Sequence, residues 1–252
     1  MIRIDSVSKS YSGTTVVDAV STVIPSGGVT SIIGPNGAGK STLLSLISRL
    51  LPMDTGTVSI AGLDVTKTAS KDLAKSMAIL RQDNHITMRL RVRDLVGFGR
   101  FPHSGGHPTS VDLEHIEAAM KQLDLTDLAD RFLDELSGGQ RQRAYIAMVL
   151  AQDTEYLLLD EPLNNLDMKH SVEMMRMIRR LADELGKTVV IVIHDINFAS
   201  CYSDTILAMR GGVLVHQGAP SEIMTQEVLR DVYDIDIRIE EIDGNRIGVY
   251  FA

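Results

Sequence analysis

"GVTSIIGPNGAGKST", residues 28–42, decides the fold. Its first six residues are an apolar, β-branched run, as expected of a strand buried on both faces. The next nine, GPNGAGKST (34–42), fit G-x-x-x-x-G-K-[ST], the Walker A pattern. After them "KSTLLSLISRLL" (40–51) has helical spacing, with Leu43, Leu44, Ile47, Leu50 and Leu51 on one face and a stop at Pro52. Strand, glycine-rich turn and helix in that order make the pattern evidence for a phosphate-binding loop. Gly34, Gly37 and Gly39 let the backbone curl so that amide hydrogens point inward at phosphate oxygens, and the helix N-terminus adds a favourable dipole. The nucleotide-binding stretch is read as Gly34, Pro35, Asn36, Gly37, Ala38, Gly39, Lys40, Ser41 and Thr42. In it Lys40 reaches the β- and γ-phosphates and the Ser41 hydroxyl holds Mg2+.

Further strands are expected at 2–7, 57–60, 77–80, 156–159, 188–193 and 205–209, several of them continuous apolar runs. Helical patterns lie between, such as "SVEMMRMIRRLADELG" (171–186), which ends on Gly186. Strand–helix alternation argues for an α/β core with a mostly parallel sheet and an N-terminal antiparallel β part. From Asn84 to Gln152 helical patterns dominate, so 84–152 reads as a helical insertion within a single domain, 1–252. Its early part, "MRLRVRDLVGFGRFPHSGGHP" (88–108), is Arg-rich and then Gly/Pro-rich and is expected to be a surface loop. Arg89, Arg91 and Arg93 read as a solvated face, with a docking patch for an acidic partner as the alternative. The tail, 231–252, reads as a β-hairpin turning at Asp243-Gly244-Asn245, either packing on an edge or regulatory.

"YLLLDEP" (156–162) supplies the matching acids. Asp160, at the carboxyl end of a buried strand, can bind Mg2+ through water, and Glu161 is placed to orient or deprotonate a water attacking the γ-phosphate. Alone the stretch reads as an ordinary strand ending in surface acids; beside the glycine-rich loop it reads as chemistry.

"DELSGGQRQRAYIAMVL" (134–150) poses a different question. Ser137 and Gln140 have capping-box spacing, yet Gly138 and Gly139 fill the first two helical positions, each costing ~1 kcal/mol relative to Ala. Removing two side chains exposes the first amides, so the helix start reads as a second anion site. Both surfaces could touch one triphosphate if two copies pair head to tail.

LSGGQ (136–140), together with the Walker motifs, resembles the signature of ABC-type ATPases, and the resemblance covers nearly the whole chain. It implies a P-loop NTPase core and a homodimer or pseudo-dimer that sandwiches two ATP molecules with Mg2+, closing on binding and opening after hydrolysis. Ser137, Gly138, Gly139 and Gln140 would then face the partner's nucleotide. The resemblance also implies that Tyr11, in KSYSG, stacks on adenine, although taken alone it reads as a packing residue. It makes Gln82, in LRQDN, the residue that touches Mg2+ and the attacking water and relays to the helical insertion. Asp167, in LNNLD, becomes an acid at the dimer seam, and His194, after VIVI, a switch that contacts the γ-phosphate. The LNN before Asp167 departs from the commoner small residues.

"RVRDLVGFGRFPH" (91–103), "PLNNLDMKHSV" (162–172) and "HDINFASCYSD" (194–204) resemble the ATPase subunits of bacterial iron–siderophore importers. The implied partners are integral-membrane permease subunits and, indirectly, an extracytoplasmic substrate-binding protein. The implied location is peripheral, on the cytoplasmic face of the cell membrane. Cobalamin and haem importers carry closely similar subunits and remain alternatives. A mechanical ABC ATPase acting on DNA or ribosomes would carry long coiled coils or tandem ATPase domains. The net charge of −8, from 25 Lys and Arg against 33 Asp and Glu, also disfavours nucleic acid. A nucleotide sensor without turnover would not need both Glu161 and His194. The single Cys201 precludes an internal disulfide and is expected to be a small buried residue. The N-terminus shows no apolar signal-peptide region, and no apolar run is long enough to span a bilayer.

Overall fold

Strand and helix alternate as the hydrophobic pattern requires. The computed structural model describes residues 1–82, 88–164 and 166–250. The chain opens with β1 (Ile2–Tyr11), β2 (Thr14–Ile24), β3 (Gly28–Ile33), α1 (Lys40–Ile47), β4 (Thr55–Ile60) and β5 (Leu63–Asp64). There follow α2 (Ser70–Ser76), β6 (Met77–Leu80), α3 (Val92–Phe98), α4 (Phe101–Ser104), α5 (Ser110–Gln122), α6 (Gly138–Ala151) and β7 (Tyr156–Asp160). α7 (Met168–Leu185) leads to β8 (Thr188–Val192), α8 (Ile196–Tyr202), β9 (Thr205–Arg210), β10 (Val213–Gly218), α9 (Pro220–Ile223), α10 (Gln226–Tyr233), β11 (Arg238–Ile242) and β12 (Asn245–Val249). Two units emerge: Met1–Thr68 with Arg179–Ala252, and Ala69–Ile178.

The first unit holds an antiparallel sheet in the order β2-β1-β4-β5. Ile2, Ile4 and Val7 of β1 are buried while Arg3 and Asp5 are exposed, the alternation of a sheet with one wet face. β3 instead pairs in parallel with both β8 and β9, and its last five residues are all buried. That is why its sequence is an unbroken apolar run. β10 adds to β9 antiparallel. Helix α1 is shorter than its pattern suggests. Arg49 turns left-handed at φ 57°, the Arg49 N–H bonds to the Leu46 carbonyl and the Leu50 N–H to that of Ser45. This is a Schellman stop with Arg where Gly is usual. The Arg49 guanidinium secures it by donating to the carbonyls of Val65 (2.9 Å) and Thr68 (2.7 Å). Leu50, expected on the buried face, is therefore exposed.

In the second unit β6 and β7 pair in parallel, Leu80 opposite Leu159. Between them the described residues form helices, apart from an isolated bridge of Arg91 to Phe132. α3 and α5 pack on α6 through buried residues including Leu95, Val96, Ile116, Met120 and Ala147. Arg100 and Asp112 are buried together: the guanidinium donates to Asp112 (2.9 Å) and to the Ala151 carbonyl (2.8 Å). The Asp112 carboxyl is held down to about 2, first by the Thr109 backbone and hydroxyl and then by Arg100.

Three further expectations are corrected. Residues 88–108 contain α3 and α4 rather than only a loop. Val92, Leu95 and Val96 bury one helical face, and the Asp94 carboxylate accepts the Arg91 N–H at the helix start. Cys201 is exposed, because α8 buries Ile196, Ala199 and Ser200 on its other face. The hairpin turns at Asp243 and Gly244 alone, both with positive φ, and Asn245 already pairs with Ile242. Asn84, the expected start of the insertion, and Asn165 lie outside the described residues.

Candidate functional site

In the first unit β3 runs out at Ile33 and the chain curls through Gly34–Gly39 into α1. Gly39 stands at φ 93°, and a Cβ there would lie 2.4 Å from the Val16 carbonyl oxygen of β2, so no side chain fits. No side chain caps α1, which leaves its first turn to the loop and to any anion bound there. Lys40 is 5% exposed and its Nζ donates to the Gly34 (2.8 Å) and Pro35 (3.0 Å) carbonyls, so the ammonium sits inside the curl. Asn36 and Gly37 form the exposed tip, Ala38 is buried, and Ser41 and Thr42 are half-buried in the first helical turn. His194 belongs to the same end of the sheet. Ile32 pairs with Val192, the Ile193 N–H donates to the Ile32 carbonyl, and the next residue is the exposed His194. Tyr11 ends β1 opposite Thr14 with its ring exposed and the Lys9 ammonium 5.7 Å from the ring centroid.

In the second unit the acids close β7. Asp160 is buried; Glu161, beyond it, is half-buried and held at φ 49°, a left-handed conformation unusual for so long a side chain. Glu161 Oε2 accepts from Gln82 Nε2 (2.8 Å) and from Asn164 Nδ2 (2.6 Å). Gln82 thus meets the acid with which the sequence groups it. Asn164 was missed. Its signal was the LNN stretch itself, with amides where small residues are commoner.

The signature helix is capped as its spacing predicts. Ser137 Oγ accepts the Gln140 N–H (3.3 Å) and Gln140 Oε1 accepts the Ser137 N–H (3.0 Å). Its two glycines differ. Gly138 is exposed, as an anion site needs, but Gly139 is buried under His170 of α7. His170 in turn donates its backbone N–H (2.9 Å) to Asp167 Oδ1, which also lies 2.7 Å from the imidazole Nδ1. These bonds, the backbone one foremost, hold the exposed Asp167 carboxyl below its usual range. Asp167 and the signature glycine are therefore linked through His170, a residue the sequence did not single out. Gly139→Ala is expected to displace that imidazole, since a Cβ would stand 2.7 Å from His170 Cδ2. The cost should be about 1–3 kcal/mol in thermal melts. Combined with His170→Ala it should fall short of additivity by at least ~0.5 kcal/mol; strictly additive losses would break the link.

The three arginines of the Arg-rich stretch are engaged within the unit. Arg89 bridges Asp134 and Glu135, while Arg91 and Arg93 both reach Asp130, all at exposed positions. They form a solvated face. Beside it lies a groove of about 630 Å³ lined by Phe98, Phe101, Leu113, Ile116 and Met120 among others. Among the described residues no helix is long and apolar enough to cross a membrane.

Residues 17–164 match the family model described as ABC transporter. The chain belongs to the ABC transporter family. Over all 252 residues, and the whole of the relative, it is 56% identical to the petrobactin import ATP-binding protein YclP of Bacillus subtilis (strain 168). It is 53% identical to the petrobactin import ATP-binding protein FatE of Bacillus anthracis, over 99% of this chain and all of that one. Its fold matches the dimeric, post-hydrolysis structure of the ATP-binding cassette MJ0796 bound to ADP and Pi. That match has a TM-score of 0.77 and 29% identity, and covers 87% of this chain and 99% of the other.

The ABC family match spans the glycine-rich loop, Gln82, the signature, Asp160 and Glu161; Tyr11, Asp167 and His194 fall outside it. The residues present suit the family's nucleotide and Mg2+. The loop is a cradle that a Cβ at Gly39 would disrupt, with a lysine ammonium inside it. Ser41 and Asp160 are hard oxygen donors. Among the described residues no three His, Cys, Asp or Glu side chains form a metal cage. Mg2+ needs none, because it takes one or two carboxylates and fills its octahedron with water and phosphate oxygens.

Proposed function

We propose that this chain is the ATP-hydrolysing subunit of an ABC importer for a ferric siderophore. In this reading it docks on the cytoplasmic face of the membrane against permease subunits that are fed by an extracytoplasmic binding protein. The observation that carries the cargo is the full-length identity, 56% and 53%, to two ATP-binding proteins of petrobactin import. Residues 1–252 act as one ATPase domain, with 84–152 its helical subdomain and 231–252 its tail.

The loop amides of Gly34–Thr42 and the Lys40 ammonium hold the phosphates, and Tyr11 stacks on the base. Ser41, Gln82 and Asp160 are the residues that would hold Mg2+, which when bound would screen the phosphate charge. Glu161 is the general base for the attacking water; the amides of Gln82 and Asn164, both on Oε2, fix its orientation. His194 contacts the γ-phosphate. Ser137–Gln140 and Asp167 of one copy face the nucleotide held by a second copy. The dimeric relative bound to ADP and Pi supports that arrangement.

The groove beside α3 and α5 supports a permease contact, since half-exposed Phe98 and Phe101 offer apolar surface there. Phe101→Asp should abolish co-purification with the permease. The test of cargo is reconstitution with permease and binding protein in proteoliposomes. Ferric petrobactin should stimulate ATP hydrolysis several-fold. Stimulation by cobalamin or haem instead would transfer the subunit to one of those importers, and stimulation by none would overturn the importer reading.

A further inference from the structure

The segment after β10 takes no part in the chemistry assigned above, yet it is tied to the phosphate loop and to the corner after His194. Tyr233, the last residue of α10, accepts the Gly34 N–H on its hydroxyl at 3.1 Å. Gly34 is the first residue of the curl. Burial pushes the phenol well above its ordinary range; the Gly34 bond opposes this, and the nearby Asp195 carboxylate and Tyr250 add to it. Tyr233 is therefore bonded to the first residue of the curl and lies within electrostatic reach of Asp195. Asp195 directly follows His194 and caps α8 by accepting from the N–H groups of Asn197 (2.8 Å) and Phe198 (3.3 Å).

The hairpin holds the same helix from another side. The Asn197 side-chain amide pairs with the backbone of Gly248 as a strand neighbour would. Its Oδ1 accepts the Gly248 N–H (2.7 Å), and its Nδ2 donates to the Gly248 carbonyl (3.2 Å). One turn on, Ser200 Oγ donates to the Arg246 carbonyl at 2.6 Å. Arg246 is anchored in turn through its guanidinium to the Ser221 carbonyl. A hairpin that merely covered an apolar edge would not need two-way polar pairing with a helix side chain.

A phosphate loop binds in one curled conformation, and its apparent affinity falls with the fraction of time spent outside it. A histidine that acts from a strand end depends likewise on the helix that follows it. We propose that α10 and the β11–β12 hairpin form a brace for the nucleotide site. Tyr233 is a positioning residue for the phosphate loop, and the Asn197–Gly248 pairing is the latch that steadies His194. This rests on the assignment of 34–42 and His194 to ATP.

The test uses the full chain, with AMP-PNP binding, ATP hydrolysis and a thermal melt measured on each variant. Tyr233→Phe keeps the ring and removes only the acceptor. It should weaken AMP-PNP binding and raise KM for ATP about three- to tenfold, the worth of one hydrogen bond, with kcat within twofold. Asn197→Ala should do the reverse, lowering kcat about three- to tenfold with KM within twofold. A lower melting temperature in either variant is compatible with the brace; the opposite split of KM and kcat is what a merely structural role does not produce. Wild-type KM and kcat in both variants, or equal changes that follow the melting temperature, overturn the brace. Failure of the wild-type chain itself to bind AMP-PNP overturns the ATP assignment, and the brace with it.

Discussion

Lys40→Ala should lose nucleotide. In a filter-binding assay its affinity for Mg-ATP is expected to fall about a hundredfold. The ammonium is buried inside the loop and already bonded to two carbonyls of it, Gly34 and Pro35. A charge-assisted bond in such a place contributes about 1.5–3 kcal/mol, which is ten- to more than a hundredfold in a dissociation constant. Truncation also leaves those two carbonyls without this donor and the curl without its internal tie. Lys40→Arg would not restore binding, because a planar fork is wider than the space a point charge fills. Affinity unchanged by Lys40→Ala would remove the phosphate loop from the nucleotide site and dismantle the functional reading from its first residue.

What was legible beforehand were features whose chemistry fixes residue types at fixed spacing in the chain. A phosphate curl needs glycines and a lysine at set offsets, and a capping box needs Ser137 three residues before Gln140. β3, β7 and β8 could be read because burial on both faces leaves an unbroken apolar run. β2 and β10 could not. "TTVVDAVSTVI" and "VLVHQG" mix polar with apolar residues, since β2 keeps one face wet and no residue of β10 is fully buried. The end of α1 was misplaced because Leu50 and Leu51 continue the helical period past a left-handed Arg49.

The relations that escaped notice join residues far apart in sequence, or depend on how a turn folds. From the sequence Gly139 reads as a device for anion binding. The additional reason for its missing side chain is His170, thirty-one positions later, carried there by α7. Tyr233 fell within the 231–252 tail read as a hairpin; it in fact ends a helix, and nothing in its neighbours announces a bond to Gly34. Asn164 lay in a stretch noted only as a departure from pattern, and its meaning depended on the turn that brings it back to Glu161.

Glu161→Gln should stop turnover without releasing nucleotide. The change is nearly isosteric, and the amide oxygen can still accept from Gln82 or Asn164, so the left-handed turn at φ 49° is retained. What goes is the capacity to take a proton from water. General-base catalysis contributes typically 10²–10⁴-fold, so kcat is expected to drop by about that factor. Binding should hold or tighten, because one negative charge fewer opposes a polyanion. ATP would then persist in a state that hydrolysis normally ends, and the paired form would accumulate by differential affinity for the two states. Gel filtration with Mg-ATP should therefore show a dimer for Glu161→Gln and mostly monomer for the parent chain. Ser137→Arg in the same background separates the two surfaces. It fills the start of the signature helix but leaves the phosphate loop untouched, so each copy should still bind ATP while the dimer disappears. A Glu161→Gln chain that hydrolyses ATP at the parent rate would assign the base elsewhere. A dimer that survives Ser137→Arg would mean that the glycines at 138 and 139 do not meet a partner's nucleotide.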